Sequence, residues 1–224
     1  MSDNSAINNS FSSRLFGFAR ENLKKLLILL ALLFSIFLFL QIYFYYSSNK
    51  IYETSINFFN IKNLEEPDEI EKTYISISKQ NNFYSTLAKV ELIKIYIDKK
   101  KYDEVSKLYS NILNDENLEK VYISALASKA SYQFIDLSFE NLSLNFLQDI
   151  ENFISYISED LETYKGIKLE LNYLAKILYN QKNGLEYNSS QEISKIYNNI
   201  VSSESISPSI KDRVKKIHEF YIYK

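Results

Sequence analysis

The stretch Tyr84–Asn114, YSTLAKVELIKIYIDKKKYDEVSKLYSNILN, decides the fold class. Its apolar residues fall into two runs at helical spacing. Leu87, Val90, Ile93 and Ile97 form one row over about Tyr84–Asp98, with a second apolar row beside it. Tyr102, Val105, Leu108, Tyr109, Ile112 and Leu113 form a single stripe over about Tyr102–Asn114. Steps of three and four place each row on one face of an α-helix, and that face must be buried against a neighbour. Only Lys99, Lys100 and Lys101 separate the runs. So short a polar break turns the chain back on itself, which predicts an antiparallel helical hairpin.

The same pattern continues outward. Ile70, Tyr74 and Ile77 share a face, and Pro67, Asp68 and Glu69 precede them. Pro fits a first helical turn, and acids suit its positive end. Further helices are expected over about Leu118–Asp136, Glu140–Tyr156, Leu161–Asn180, Tyr187–Val201 and Pro208–Tyr221. Ser and Asn cluster at the breaks between them, where their side chains cap backbone N–H groups. Residues 67–224 therefore read as one all-α domain of antiparallel helical hairpins. With 3 Gly and 2 Pro in 224 residues, the chain lacks the turns of a sheet protein and the glycines of a phosphate loop.

The hairpin at Tyr84–Asn114 has the spacing of a tetratricopeptide repeat. Tyr96, Tyr102, Val105 and Tyr109 stand at that repeat's aromatic and small packing positions. This predicts Tyr96 and Tyr109 as core aromatics. Val105 stands where Ala is usual, and Lys100 where Gly is common in the turn. A period of about 34 residues places the next set at Ala130, Asp136, Phe139 and Ser143, a poor match. A third, degenerate pair is placed at Leu169–Val201. The reading is a degenerate tetratricopeptide-like solenoid; unrelated hairpins in a bundle would leave the same stripes.

Upstream lies Leu26–Tyr46, LLILLALLFSIFLFLQIYFYY, with no charged residue. As a helix it spans about 31 Å, enough to cross the hydrocarbon core of a bilayer. Tyr43, Tyr45 and Tyr46 suit a headgroup layer at one end. No small-x-small cleavage site follows, so the segment reads as an uncleaved signal-anchor. Arg14, Arg20, Lys24 and Lys25 precede it, against Lys50 and Lys62 after it. That bias puts the N-terminus in the cytoplasm and the bulk of the chain outside, which in a bacterium is the periplasm. The expected division is a short cytoplasmic tail over 1–25, disordered over 1–13; a transmembrane helix over 26–46; a membrane-proximal helix or linker over 47–66; and the helical domain over 67–224.

On these features the chain resembles the ancillary SecYEG translocon subunit family, the YfgM-like proteins. The resemblance begins at Asn82-Phe83-Tyr84-Ser85-Thr86-Leu87-Ala88. It continues through Glu91-Leu92 and Asp98-Lys99-Lys100-Lys101 to Asn114-Asp115-Glu116-Asn117-Leu118, and then to Ala125, Leu126 and Ala127. With the anchor it covers about half the chain. It implies an inner-membrane protein with a periplasmic tetratricopeptide-like domain. Its implied partners are translocon subunits, periplasmic chaperones or exported chains, and it supplies no catalytic residue. Few Ala and Gly at tight contacts, and a longer stretch over Glu151–Lys165, depart from the family pattern.

Composition narrows the function classes. No Cys and one His remove thiol chemistry, Cys-ligated zinc and His-based triads. A net charge of −2 gives no reason to expect nucleic acid. The expectation is a protein-binding module without catalysis, cofactor, metal or small-molecule substrate. An envelope or division adaptor is the alternative. The Asn-x-Ser triplets at Asn8, Asn141 and Asn188 follow from an Asn- and Ser-rich composition and are not read as glycosylation sites.

Three charged groups remain. Asp149, Glu151, Glu159, Asp160 and Glu162 would suit a carboxylate pair or calcium, but lack calcium-loop spacing and read as a solvated helix end. Lys99, Lys100 and Lys101 read as a solubilising turn, with an anionic lipid or acidic partner as the functional option. Lys211, Arg213, Lys215, Lys216 and His218 give the last helix a basic face. That face would lean on the membrane or complement the helix's negative C-terminal end, with His218 an ordinary surface residue.

Overall fold

Every regular segment among the described residues, 20–187 and 190–223 of this computed structural model, is helical, with no strand. The expected disordered tail over 1–13, Arg14, and the triplets at Asn8 and Asn188 lie outside the described residues. The chain divides into two compact units between Glu65 and Glu66.

The first unit is built on helix α1, Leu23–Asn60, which ends in a 3-10 turn, Ile61–Asn63. It contains one helix long and apolar enough to cross a membrane. The helix starts inside the expected tail and runs without a break past Tyr46 into the segment expected as a membrane-proximal helix or linker. The reason is local. No Gly or Pro interrupts Leu23–Asn60. Its hydroxyls also fold back onto the helix's own carbonyls: Ser35 Oγ donates to Ala31 O at 2.9 Å and Thr54 Oγ1 to Lys50 O at 2.7 Å. So satisfied, they do not compete for the backbone.

The second unit holds α2 (Pro67–Ser78), α3 (Phe83–Asp98), α4 (Tyr102–Leu113), α5 (Lys120–Glu140), α6 (Leu147–Ser155), α7 (Glu162–Lys182), α8 (Gln191–Ser202) and α9 (Pro208–Ile222). Pro67 and Pro208 occupy first turns as expected. Asn82 Oδ1 caps α3 by accepting from Ser85 N, and Ser190 Oγ caps α8 by accepting from Ile193 N. Several boundaries differ from expectation: α5 runs on to Glu140 where Asp136 was expected, α8 starts at Gln191 and not at Tyr187, and the helix expected over Glu140–Tyr156 is only α6. Asn141 Oδ1 accepts from both the N–H and the hydroxyl of Ser143. This side-chain turn ends α5 and sets an irregular loop before α6.

The turn after α3 closes on Lys100 in the left-handed region, at φ 56°. Lys101 N donates to Tyr96 O and Lys100 N to Ile97 O, the two bonds of a Schellman cap. Gly184 makes the same turn after α7, at φ 64°. A residue with a Cβ is strained there, so Lys100→Gly is expected to stabilise the chain by about 1 kcal/mol in urea melts. A loss of stability would place the cost elsewhere in the turn.

Each helix of the second unit packs on the next, and α7 also packs on both α5 and α9. Helices α5, α7 and α9 thus form one row, with α6 and α8 connecting its members. The core between α3 and α7 centres on aromatics: Tyr109, Phe134 and Phe153 are fully buried and Phe146 nearly so. A smaller core joins α7, α8 and α9 through Tyr173, Ile177, Ile193, Ile200 and Val214. Gly166 lets α7 approach the start of α9 closely, since a Cβ there would stand 3.0 Å from Ile210 Cδ1.

Tyr109 sits in the core as expected, its Oη donating to Gln133 Oε1 at 2.8 Å. Tyr96 does not: it is half-buried and lines an open cavity, because it lies at the end of α3, where Lys101 covers its ring at 5.3 Å. The period of about 34 also fails. Ala130, Asp136 and Phe139 all lie on α5 and Ser143 lies in the loop after it, so that register puts two helices' positions on one.

Candidate functional site

The row of α5, α7 and α9 carries an open groove of about 480 Å³. Helix α5 supplies Tyr132, Ile135, Asp136 and Phe139, at steps of three, one and three. Helix α9 supplies Arg213, Lys216, Ile217 and Phe220 at the same steps, with Tyr221 beside them. Such spacing puts each set on one helix face. Glu170 and Leu174, four residues apart, form the floor on α7. The lining is mostly apolar, and Phe220 stands 59% exposed at its edge.

One ion pair with a buried carboxylate holds the floor together. Glu170, with 2% of its side chain exposed, accepts from Arg213 Nε at 2.8 Å and Nη2 at 2.6 Å. Tyr132 Oη donates to the same carboxylate at 2.7 Å. One group therefore ties α5, α7 and α9 at the base of the groove. The bidentate guanidinium fixes orientation as well as charge. Burial, then the Glu170 carboxylate, pushes the Tyr132 phenol up, so it stays a donor. At the groove's rim, desolvation and the neighbouring Glu140 raise the Asp136 carboxyl above its usual range.

Beside the groove is an aromatic cluster around the chain's one His. His218 stacks on Tyr197, with ring centroids 3.7 Å apart and planes at 17°. The Tyr187 hydroxyl contacts His218 Nδ1 and, at 2.6 Å, the Tyr173 hydroxyl. His218 is thus a half-buried packing residue, not the surface residue expected. Burial depresses its pKa, and Glu219 opposes that weakly. The sign follows. A folded pKa below the unfolded value of about 6.5 means that the unfolded chain binds more protons there, so stability rises with pH. The expectation is that stability falls between about pH 7.5 and 5.5, and that His218→Gln flattens this slope in urea melts. An unchanged slope in the variant would contradict the assignment.

The acidic residues singled out in the sequence do not converge. Asp149 accepts from the Ser106 hydroxyl on α4. Glu159 pairs with Lys168 at 2.9 Å, which pulls its carboxyl below the usual range. Asp160 lies 3.4 Å from Lys120, Glu162 sits in the first turn of α7, and Glu151 is exposed. Among the described residues no three His, Asp or Glu side chains are grouped to hold a metal.

The lysine run is divided by its turn. Lys99 pairs with Glu71 on α2, Lys100 takes the left-handed position, and Lys101 covers Tyr96. The bases of α9 do not complement its C-terminal end. The helix runs on to Ile222 and carries no basic residue in its last turn. Arg213 and Lys216 turn instead to the groove, while Lys211 and Lys215 do not line it.

Two other cavities are of comparable size. One of about 620 Å³ lies among Tyr96, Tyr102, Phe146 and the charged turn at Lys100–Glu104. One of about 400 Å³ lies at the end of α7, beside Tyr187 and Tyr221. Neither has an ion pair with a buried carboxylate in its floor.

Compared with protein-family models, curated proteins and solved structures, the chain matches none. The site is therefore read from its own geometry. Sequence reasoning named Arg213 and Lys216 but missed Tyr132, Glu170 and Phe220. The matching steps in Tyr132–Phe139 and Arg213–Phe220 were the available signal. What joins them is the contact across three helices, which no local pattern states.

Proposed function

We propose that this chain is a single-pass inner-membrane protein that binds polypeptide segments along the α5–α7–α9 groove. Residues 26–46 form its anchor, the N-terminus lies in the cytoplasm, and the helical unit lies in the periplasm. There it serves as an ancillary translocon-associated or chaperone-network factor for exported proteins. The observation that carries the reading is the groove itself: apolar, open along its length, and edged by Lys216, Asp136 and the exposed Phe220. An extended or helical segment buries apolar side chains there while its polar groups meet the charged rim.

The pairing of the helices supports a degenerate tetratricopeptide-like reading of the domain. Helices α3–α4, α5–α6 and α7–α8 form three pairs, with α9 closing the last. Val105, Ile150 and Ile193 are fully buried at matching places on the second helix of each pair; Ile112 and Ile200, further along α4 and α8, and Ile157, just past the end of α6, are fully buried too. These places lie roughly 45 residues apart, longer than the usual tetratricopeptide period. Stacked pairs leave one row of helices facing a continuous surface, which suits chains of varied sequence.

Phe220→Ala is expected to weaken binding of a fluorescently labelled unfolded polypeptide about tenfold, since exposed aromatics dominate such contacts. The measurement is fluorescence anisotropy on the full chain in mild detergent, with Tyr122→Ala on α5 as the control. Equal affinity in both variants would contradict the groove as the binding surface.

A further inference from the structure

We infer that the groove takes its polypeptide as an amphipathic α-helix laid along α7, with a basic residue on the edge facing α5 and an acidic residue on the edge facing α9. The inference rests on the groove as the polypeptide-binding surface and specifies what that surface selects.

The lining runs in one direction on all three helices. Tyr132, Glu170 and Arg213, which meet at one carboxylate, begin the three sets. One turn on, four residues further in each helix, stand Asp136, Leu174 and Ile217. Phe139 and Tyr221 follow on the outer helices. Helices α5, α7 and α9 therefore run parallel here, as two walls and a floor, over about 10 Å.

Such a trough selects a helix over an extended chain. Its backbone N–H and C=O groups are bonded within α5, α7 and α9, so no strand edge is offered to an extended segment. That segment would lay unpaired peptide groups over apolar side chains, which is costly. A helix bonds its own peptide groups and lowers one apolar stripe onto Leu174.

Charge then assigns the edges. Asp136 stands on the α5 wall, with Glu140 one turn further along the same helix. Lys216 stands on the α9 wall. Both Asp136 and Lys216 are exposed, and among the described residues neither has an ion-pair partner. Desolvation and Glu140 raise the Asp136 carboxyl, a shift that a cation laid beside it would oppose. Arg213, the other base of the α9 wall, is already paired with Glu170. A helix with a base toward Asp136 and an acid toward Lys216 meets opposite charges on both sides. Turned end for end, the same helix meets like charges, so the groove also sets its direction.

The probe is a fluorescently labelled peptide of about 14 residues, a Leu stripe in an Ala helix with Lys on one edge and Glu on the other. Fluorescence anisotropy on the full chain in mild detergent compares it with versions carrying Glu on both edges or Gln on both. The Lys/Glu peptide is expected to bind about fivefold tighter than either. Asp136→Lys should reverse the order, so that the Glu/Glu peptide binds tightest. Adding Lys216→Glu to that variant should restore the Lys/Glu preference, because the helix then seats end for end. A Pro in the middle of the Lys/Glu peptide should weaken it about tenfold. Equal binding of the three peptides, or an order that the variants leave unchanged, overturns the charged edges. Equal binding of the Pro peptide overturns the helix. No binding of any peptide, while the labelled unfolded polypeptide still binds, overturns this inference alone. Loss of both overturns the groove as the binding surface.

Discussion

Replacing Phe134 by Ala is expected to remove about 3–5 kcal/mol of stability, the range for a fully buried aromatic. Phe134 lies on α5 and is the hub of the larger core. Its ring centroid stands 4.9 Å from Phe146, 5.3 Å from Phe153 and 6.5 Å from Tyr109, all at steep interplanar angles. Edge-to-face contacts of this kind add to the gain from burial. The four rings come from α4, α5, the loop before α6, and α6 itself, so the cavity left by Ala would open three helices at once. A small domain has about 5–15 kcal/mol in total, so the variant should be largely unfolded at moderate urea. Phe134→Leu keeps most of the volume and should lose only about 1–1.5 kcal/mol. Urea melts of the full chain in mild detergent, followed by helical circular dichroism, measure both. A loss below about 1 kcal/mol for the Ala variant would mean that the ring cluster is not the core.

Arg213→Ala carries the second largest effect, about 2–4 kcal/mol. The figure lies below that for a fully buried pair because half of the Arg213 side chain reaches solvent, where its charge is screened. The loss comes from Glu170, which keeps its buried carboxylate with Tyr132 as its remaining donor. Glu170→Gln removes the charge itself and should cost less, about 1–2 kcal/mol. In the double variant the stranded charge is gone, so the two losses should not add; the difference measures the coupling. Additive losses in the same melts would mean that Arg213 contributes packing and not an ion pair with a buried carboxylate. Because the pair joins α7 to α9, this cycle also reports whether the groove is held in shape.

Helix content was legible wherever periodicity was strong. Tyr102–Leu113 and Phe83–Asp98 fall within a residue of their expected bounds, because strong apolar rows on either side of a lysine turn leave little freedom. The long apolar helix was legible for the same reason: an uncharged run needs no tertiary context. What failed depended on contacts. Tyr96 matches a repeat position but lies half-open at a helix end. His218 reads as a surface residue until Tyr187 and Tyr197 close over it from the chain before and within α8. Glu170 sits among Lys168, Leu169 and Leu171 with nothing to mark it, and gains meaning only from Arg213, two helices on. The expected second set, Ala130 to Ser143, fell on one helix and the loop after it because α5 has 21 residues against 16 in α3.

On the proposed function, a membrane-anchored helical unit holds exported polypeptides in the α5–α7–α9 groove. Site-specific photo-crosslinking in the membranes of expressing cells tests it most directly. The crosslinker replaces Leu174, Ile217 or Phe220 in the groove, and Tyr122 or Lys129 outside it, and captured proteins are identified by mass. Groove positions are expected to capture a spread of exported chains, together with translocon subunits, and the outer positions are not. Equal capture from both sets, or capture of a single envelope or division protein with no exported chain, would contradict it.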